Sequence, residues 1–553
     1  MLNVSFITLG CKVNQFESEA MMELFEKEGF KIIPACDKSD IFIINTCAVT
    51  KESDRKSRQL INKAKRMNKN AIVAAVGCSV QLNSERISEE TSVDIVIGTK
   101  NKSEIARLIK DKLNNLDVKT IVDKFKPHES FEELSISKEH DKTRANIKIQ
   151  DGCNQFCTYC IIPYVRGPIR SRDSEDIVKE VRNLSENGYK EVVINGIHIS
   201  SYGKDINKGN ALISLIENIN RIDGNAKNGI ERIRLGSLEP NIITEEFIQR
   251  LSKLDKACDH FHLSLQSGSD TVLQRMNRRY TASEYKEKVD LIRRYMPNSG
   301  ITTDIIVGFP GETEEEFNET LEFVKEINFS RIHVFKYSIR EGTKAAIFEN
   351  QIDEKIKAER SKKLIKLADE LAQNFMQHMV GETVSVLIEK KSEDIYEGYT
   401  TNYIRTVVES STDIDNKIIQ VKVIKANNDF ITGSLLKEDR WMDCIFCKIL
   451  NKEIPSNVVF ENNKILAFYD IAPQAPIHVV IIPKIHISSA NEVNEENSKY
   501  ISEIFTAIPE IAKKLGIADS GYRIINNCGR DGCQSVEHIH FHMLGGRKMS
   551  EIF

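Results

Sequence analysis

The chain has one tryptophan and 12 prolines in 553 residues, and no apolar run approaches the roughly 20 residues of a membrane-spanning helix. Its first ten residues, MLNVSFITLG, lack a basic stretch followed by a long apolar one, so a cytosolic protein without membrane contact is expected. Neither sign of charge dominates. A formal net charge of −4 supplies no global field toward nucleic acid, and any such site must be a local patch. Cysteine, by contrast, is plentiful at 12. In a short secreted chain that number signals disulfides; in a long cytosolic one, clustered cysteines bind metal or carry chemistry. The length exceeds what one core usually serves, so three or four domains are expected.

Short apolar runs at Val4–Leu9, Asp40–Asn45, Ala71–Val76 and Val93–Ile97 predict buried parallel strands, with helices at Gln15–Glu28 and Lys51–Met67 between them. Candidate strands at Glu191–Asn195, Arg232–Leu235, His260–Leu265, Thr302–Val307 and Arg331–Tyr337 suit a full or partial α/β barrel. Ile356, Leu364, Leu367, Leu371 and Phe375 recur at helical spacing and predict a core-packed helix. Strand-like runs between 380 and 440 predict a small β-barrel, and the texture changes again at Trp441-Met442-Asp443.

The expected organisation is an α/β multidomain chain. A doubly wound α/β domain spans 1–116, a linker 117–143, a barrel core 144–375, a β-barrel 376–440 and an α+β unit 442–553.

Two cysteine sets stand out. Cys153-x3-Cys157-x2-Cys160 follows the predicted strand Asn146–Gln150 in a loop containing Gly152. Three thiolates on a four-iron cluster leave one iron open. The alternative is a zinc site lacking its fourth ligand, although zinc knots normally pair two C-x2-C units. Cys11, Cys47 and Cys78 lie far apart in sequence, yet each comes just after a predicted strand. In a parallel sheet the strand ends share one edge, so the three thiols can converge there.

The last unit contains His538-Ile539-His540-Phe541-His542. At strand period two, the three imidazoles face one side and the apolar pair the other.

Residues 148–172, KIQDGCNQFCTYCIIPYVRGPIRSR, resemble the radical-SAM core of the methylthiotransferase family, and TLGCKVNQ, NTCAVT and GCSVQ resemble that family's amino-terminal motifs. The resemblance covers 1–440. It implies a radical-generating [4Fe-4S] cluster on Cys153, Cys157 and Cys160, and an auxiliary [4Fe-4S] cluster on Cys11, Cys47 and Cys78. It further implies S-adenosylmethionine (SAM) near Gly196, Asp304, Gly308 and Gly311, an electron donor for cluster reduction, and a TRAM domain that contacts RNA. Met376 to Trp441 nevertheless carries eight Lys/Arg against eleven Asp/Glu.

GCKVN and RLGSLEP resemble the branch acting on threonylcarbamoyladenosine-37 in the tRNA anticodon loop; two other branches compete, one acting on isopentenyladenosine-37 and one on an aspartate of a ribosomal protein. The implied reaction replaces an adenine C2–H by methylthio, one SAM giving the radical and another methylating sulfur.

CIFCKI, FYDIAPQAPIHVVIIPKIHI and GRDGCQSVEHIHFHMLGGR resemble the histidine-triad (HIT) hydrolases over 442–553. That likeness implies His540 as nucleophile on an α-phosphate of a purine nucleotide. It assigns His542, Asn527 and Ser535 to the phosphate, Asp470 to the ribose and His478 to support of His540. It also implies zinc on Cys444, Cys447, His486 and His538 in some members, and a homodimer through this domain.

Overall fold

The computed structural model describes residues 1–553 except 119, 127–128, 138–142, 207–208, 223–228, 411, 437–443 and 550–553. The boundary expected at Trp441, Met442 and Asp443 lies outside the described residues. Two compact units are present, one mainly Met1 to Gly433 and one mainly Ser434 to Phe553.

In the first unit, β1 (Asn3–Thr8), β2 (Lys31–Ile32), β3 (Ile41–Thr46), β4 (Ile72–Gly77), β5 (Ile95–Ile97) and β6 (Thr120–Ile121) form one parallel sheet, in the order β2-β1-β3-β4-β5-β6. β3, IFIINT, is buried at every position, as a strand covered on both faces must be. Helices Lys12–Lys27, Lys51–Met67, Cys78–Glu90 and Ile105–Leu113 supply the cover. The second starts where the Thr50 side chain accepts the Ser53 N–H, and the first turn carries Glu52 and Asp54.

Residues 117–143 do not act as the expected linker. β6 extends the sheet past residue 116, and Phe131, Leu134 and Ile136 are buried. Charge content hid those three apolar anchors.

A second pair of sheets follows: β7 (Arg144–Asp151), β8 (Arg170–Ser171), β9 (Glu191–Gly196), β10 (Arg232–Leu235), β11 (Ser237–Leu238), β12 (His260–Leu263), β13 (Gly300–Val307) and β14 (Arg331–Lys336). They pair as β10-β9-β7-β8 and β11-β12-β13-β14, and only Gly236 separates β10 from β11, so one bent strand joins the halves. Among the described strands β8 and β14 are edges, which makes the barrel partial. Ile233, Leu235, Phe261, Leu263, Ile301 and Ile305 pack outward into the main core. By alternation, Arg232, Arg234, His260, His262, Thr302 and Asp304 face the lumen.

The helix Glu354–His378 runs where expected: Leu364 and Leu371 are buried and Leu367 and Phe375 pack against the cores, whereas Ile356 is exposed and Lys357 and Arg360 are buried instead. Arg360 pairs with buried Glu312, which is why a charged residue takes the apolar place.

β15 (Thr383–Ser392), β16 (Ile395–Thr400), β17 (Arg405–Glu409), β18 (Ile418–Ala426) and β19 (Ile431–Leu435) close a barrel in the order β15-β16-β17-β19-β18.

The second unit holds an antiparallel sheet of β20 (Val458–Glu461), β21 (Ile465–Tyr469), β22 (Ile477–Pro483), β23 (Tyr522–Ile525) and β24 (Phe541–Gly545), ordered β20-β21-β22-β24-β23. Ile504, Ile508 and Ile511 of helix Ser498–Lys514 pack on Ile465, Val479 and Ile481. No described helix of the chain is long and apolar enough to cross a membrane.

Candidate functional sites

β1, β3 and β4 are neighbours in the first sheet, and Cys11, Cys47 and Cys78 follow their carboxyl ends. Gly77, just before Cys78, has φ +100, and a Cβ there would lie 2.6 Å from the Asn45 side chain, so only glycine fits the turn. A Cβ on Gly10 would sit 3.1 Å from Cys47 Sγ, which shows how closely the first cysteine loop approaches the second.

Cys153, Cys157 and Cys160 occupy the loop after β7. The loop is pinned: Cys153 N–H donates to Gly167 O at 3.0 Å, Thr158 N–H to Met276 O at 3.1 Å and Ala345 N–H to Thr158 O at 2.8 Å. Gly152 has φ +73, and a Cβ there would overlap the Pro168 carbonyl at 1.9 Å. Burial pushes the Cys153 thiol up to about 11 and Cys160 to about 12, so the bare thiols are protonated near neutrality and iron must displace those protons.

The two trios are neighbours, since Cys78 packs with Ala48, Ile161 and Val165, and Ile161 directly follows Cys160. Neither trio brings all three sulfurs within 4.8 Å of one another, whereas Cys444, Cys447, His486 and His538 do converge that tightly. One tetrahedral ion needs such closeness; a multinuclear cluster needs its ligands farther apart.

Each trio receives one arginine that no sequence signal picked out. Arg166 Nε donates to Cys78 Sγ at 3.2 Å, and Arg278 Nη1 to Cys157 Sγ at 3.3 Å. Arg166 is fully buried and also donates to Glu17 at 2.5 Å and Asn14 at 2.7 Å. Glu17 pairs with Lys102 and Lys148, and Asp151 with Lys148, Arg166 and Arg170. Four cations therefore face two carboxylates here, an excess of positive charge that three thiolates beside it would balance.

A cleft of about 260 Å³ opens beside Cys157, lined among others by Gln155, His198, Glu239, Asn277 and Arg278. Arg278 Nη2 donates to both Glu239 carboxylate oxygens at 2.7 and 2.8 Å.

None of Gly196, Asp304, Gly308 and Gly311 lines this cleft. Gly196 ends β9 against Gln150, and Gly311 is open apart from Arg275. Gly308 is explained by packing, because a Cβ there would meet Lys357 Cγ at 2.3 Å. Asp304 instead groups with His262, at 3.3 Å, and His333 on the lumen side.

In the second unit the strand begins only at Phe541, so His538 and His540 precede it rather than lying within it. The alternation survives in extended chain: Ile539 enters the core, while His540 and His542 stand 5.0 Å apart, ring to ring. His540 Nδ1 lies 2.7 Å from the His538 carbonyl, which fixes the proton there, and His540 Nε2 is buried with no partner among the described residues.

His478 does not support His540 as expected. Its Nε2 bonds His542 Nδ1 at 2.8 Å, and both rings lie near Asp470, at 3.5 and 3.9 Å. Strand register decides this, since β22 sets Val480 opposite His542, two residues from His478. Asn527 and Ser535 lie in the loop between β23 and β24, and neighbouring Asn526 donates to the His540 carbonyl at 2.8 Å.

Cys447 Sγ is 3.3 Å from His486 Nδ1 and 3.6 Å from His538 Nδ1, and Cys444 Sγ is 3.5 Å from His538 Nδ1. These are close to the edges of a tetrahedron with ~2.3 Å metal–sulfur and ~2.1 Å metal–nitrogen bonds. His538 Nε2 lies 3.1 Å from the Pro483 carbonyl, which holds the proton on that nitrogen and frees Nδ1 for a metal.

A partial barrel with a three-cysteine loop after its first strand defines a radical-SAM protein, and residues 147–324 match the Radical SAM superfamily. Residues 3–98 match Uncharacterized protein family UPF0004, and 451–549 match the HIT domain. The chain is 40% identical over 442 residues to a threonylcarbamoyladenosine tRNA methylthiotransferase, MtaB, of Bacillus subtilis (strain 168), covering 79% of this chain and 97% of that relative. It belongs to the methylthiotransferase family and carries a HIT domain in addition.

A tRNA-2-methylthio-N(6)-dimethylallyladenosine synthase of Thermoanaerobacter sp. (strain X514) is 39% identical over 389 residues, covering 69% of this chain and 81% of that one. The radical S-adenosylmethionine methyltransferase TsrM of Kitasatospora setae shares the fold, with a TM-score of 0.50 at 13% identity over 63% of this chain and 74% of that chain.

Proposed function

We propose that the first 440 residues convert N6-threonylcarbamoyladenosine-37 of tRNA to its 2-methylthio derivative, and that the HIT domain hydrolyses nucleotidyl phosphoramidates. The observation that carries the first part is the adjacency of two cysteine trios, with Cys78 packed against the residue after Cys160. A lone radical-generating trio needs no such neighbour. The substrate assignment rests on the threonylcarbamoyladenosine relative, aligned over 97% of its length.

In this reading Cys153, Cys157 and Cys160 hold one [4Fe-4S] cluster and Cys11, Cys47 and Cys78 the other. The donor sets fit, being thiolates spaced too widely for one ion and beside buried cationic charge. With SAM, the bound clusters supply the radical and the sulfur chemistry. Arg278 and Glu239 in the cleft beside Cys157 offer opposite charges to the zwitterionic end of SAM. Gly152 and the hydrogen bonds at Thr158 keep the first loop rigid. Tyr159, partly buried in the same loop, packs against the cluster of Met276, Phe309 and Tyr337.

The testing experiment supplies reconstituted enzyme, SAM and a reductant with unmethylthiolated tRNA, and reads nucleosides by mass spectrometry. The 2-methylthio derivative of threonylcarbamoyladenosine should appear. Formation of the dimethylallyl analogue alone would overturn the assignment.

In the HIT domain, His540 Nε2 attacks the α-phosphorus, the P–N bond breaks and the amine leaves with a proton. Water then cleaves the phosphorus–histidine bond, regenerating the imidazole and releasing a nucleoside monophosphate. His542, with His478 and Asp470 behind it, stands beside the attacking nitrogen to hold the phosphate; Asn527 and Ser535 complete this cradle and Asp470 also offers a carboxylate to the ribose.

Cys444, Cys447, His486 and His538 hold zinc, which fastens the start of the domain to its histidine loop. About one zinc per chain is expected, and Cys447→Ser should lose it and lower the melting temperature while iron content stays constant. Purified enzyme with iron but no zinc, and a melting temperature indifferent to Cys447→Ser, would refute the site.

A further inference from the structure

At the amino-terminal end of the partial barrel, cations and aromatic rings gather around Tyr403. Tyr403 follows β16 and stacks on Tyr399, with centroids 4.9 Å apart and planes inclined by 26°. The guanidinium of Arg234 stands 4.5 Å from its ring centroid, that of Arg144 5.3 Å and the ammonium of Lys12 6.0 Å; His260 lies 4.8 Å away, ring to ring. Tyr403 has φ +71, a left-handed conformation that costs an aromatic residue energy, and it is held there by its N–H donating to Thr400 O at 3.1 Å.

Two of the three cations have carboxylate partners. Arg234 pairs with Glu191 at 2.6 Å and Arg144 with Glu389 at 2.7 Å. Lys12 is exposed, and no described carboxylate lies within 4 Å of it. The local field nevertheless favours anions. Burial would raise the Tyr403 phenol, yet Arg144 and Lys12 reverse the sign and hold it below its ordinary value.

Lys12 also adjoins Cys11 in the chain. A purine whose C2 faces the auxiliary trio would have its N6 substituent only two ring atoms away, within reach of that ammonium. The dimethylallyl group would gain nothing from this setting, whereas a threonylcarbamoyl group ends in a carboxylate.

We propose that Lys12, backed by Arg144 and the Tyr399–Tyr403 stack, forms a carboxylate-binding site that selects a substrate nucleoside with an anionic N6 arm. The proposal rests on the reading of the first 440 residues as a threonylcarbamoyladenosine enzyme. A carboxylate and an RNA phosphate share the chemistry that Lys12 recognises, so the experiment separates them.

Reconstituted full-length enzyme is titrated with three versions of one tRNA, bearing threonylcarbamoyladenosine, dimethylallyladenosine or plain adenosine at position 37. Wild type should bind the first most tightly. Lys12→Met should weaken that binding by roughly 10- to 100-fold, the size of a lost charge-assisted hydrogen bond, without changing the plain-adenosine tRNA; Lys12→Arg should restore most of it. Tyr403→Phe keeps the ring and should preserve the preference in part.

Equal weakening on all three tRNAs would assign Lys12 to the RNA backbone and overturn the proposal, as would a preference unmoved by Lys12→Met. A wild type that prefers the dimethylallyl tRNA would instead overturn the substrate assignment itself. Unchanged iron content and visible absorbance establish that the variants retain their fold.

Discussion

Cys157→Ala should abolish reductive cleavage of SAM, and Cys78→Ala should leave that cleavage running while abolishing the methylthiolated product. The two cysteines are equivalent in number of bonds but not in role. Cys157 belongs to the loop pinned by Thr158 and beside the Arg278–Glu239 cleft, where SAM would bind. Cys78 belongs to the sheet edge, at the third of three neighbouring strand ends. Losing one of three thiolates removes a covalent ligand that water replaces poorly, so each variant should keep about four of about eight irons per chain. Iron analysis, release of 5′-deoxyadenosine and nucleoside mass spectrometry read the three consequences separately. Methylthiolated product from Cys78→Ala would contradict the role given to the first trio.

The second large effect falls on the HIT domain. His540→Ala should lower hydrolysis of an adenosine phosphoramidate by roughly 10³- to 10⁶-fold, the range seen when a nucleophile is removed, with the tRNA reaction unchanged. His540 is singled out by an Nε2 with no partner among the described residues and by a Nδ1 proton committed to the His538 carbonyl. The same burial lowers His478, His540 and His542 below the ordinary histidine value. Neutral imidazole is the attacking form, so the acid limb of the rate profile should fall below pH ~6.5 instead of at it. Protonation costs more in the fold than in the open chain, so this domain should also lose stability as pH drops from about 6.5 toward the lowered values. Undiminished hydrolysis by the alanine variant would remove His540 from the mechanism.

Much of this architecture was legible in the chain before any coordinates. Buried parallel strands run apolar, and cysteines placed just after such runs had to share a sheet edge; β1, β3 and β4 prove to be adjacent, which is more than the pattern required. The four ligands Cys444, Cys447, His486 and His538 also meet, although a gap of 39 residues separates Cys447 from His486.

What stayed hidden was charge in the interior. Arg166, Lys148, Lys102 and Glu17 look like ordinary surface residues in a sequence, because nothing local distinguishes a lysine in a buried pair from a solvated one. Strand β16 is hard to read from sequence, since Glu393 and Asp394 precede it, Glu397 lies within it, and its buried positions, Tyr396, Gly398 and Thr400, are not strongly apolar. His478 went to the wrong partner because register across β22 and β24 cannot be read from spacing alone.

The buried charge knot has a consequence for how the chain is made. Glu17 lies on the first helix, but Lys148, Asp151, Arg166 and Arg170 come from after the first sheet is complete. While the ribosome is still short of them, Lys102 is the one partner of Glu17, among the described residues, that has already been made. The charge knot around Glu17 is therefore incomplete until about 50 residues beyond the first sheet have been added, a wait of roughly 3 to 10 s at ordinary elongation rates. Iron offered to Cys11, Cys47 and Cys78 earlier than that would meet an unfinished pocket, so cluster loading is expected to follow translation of the barrel's first strands and not to accompany the amino-terminal domain.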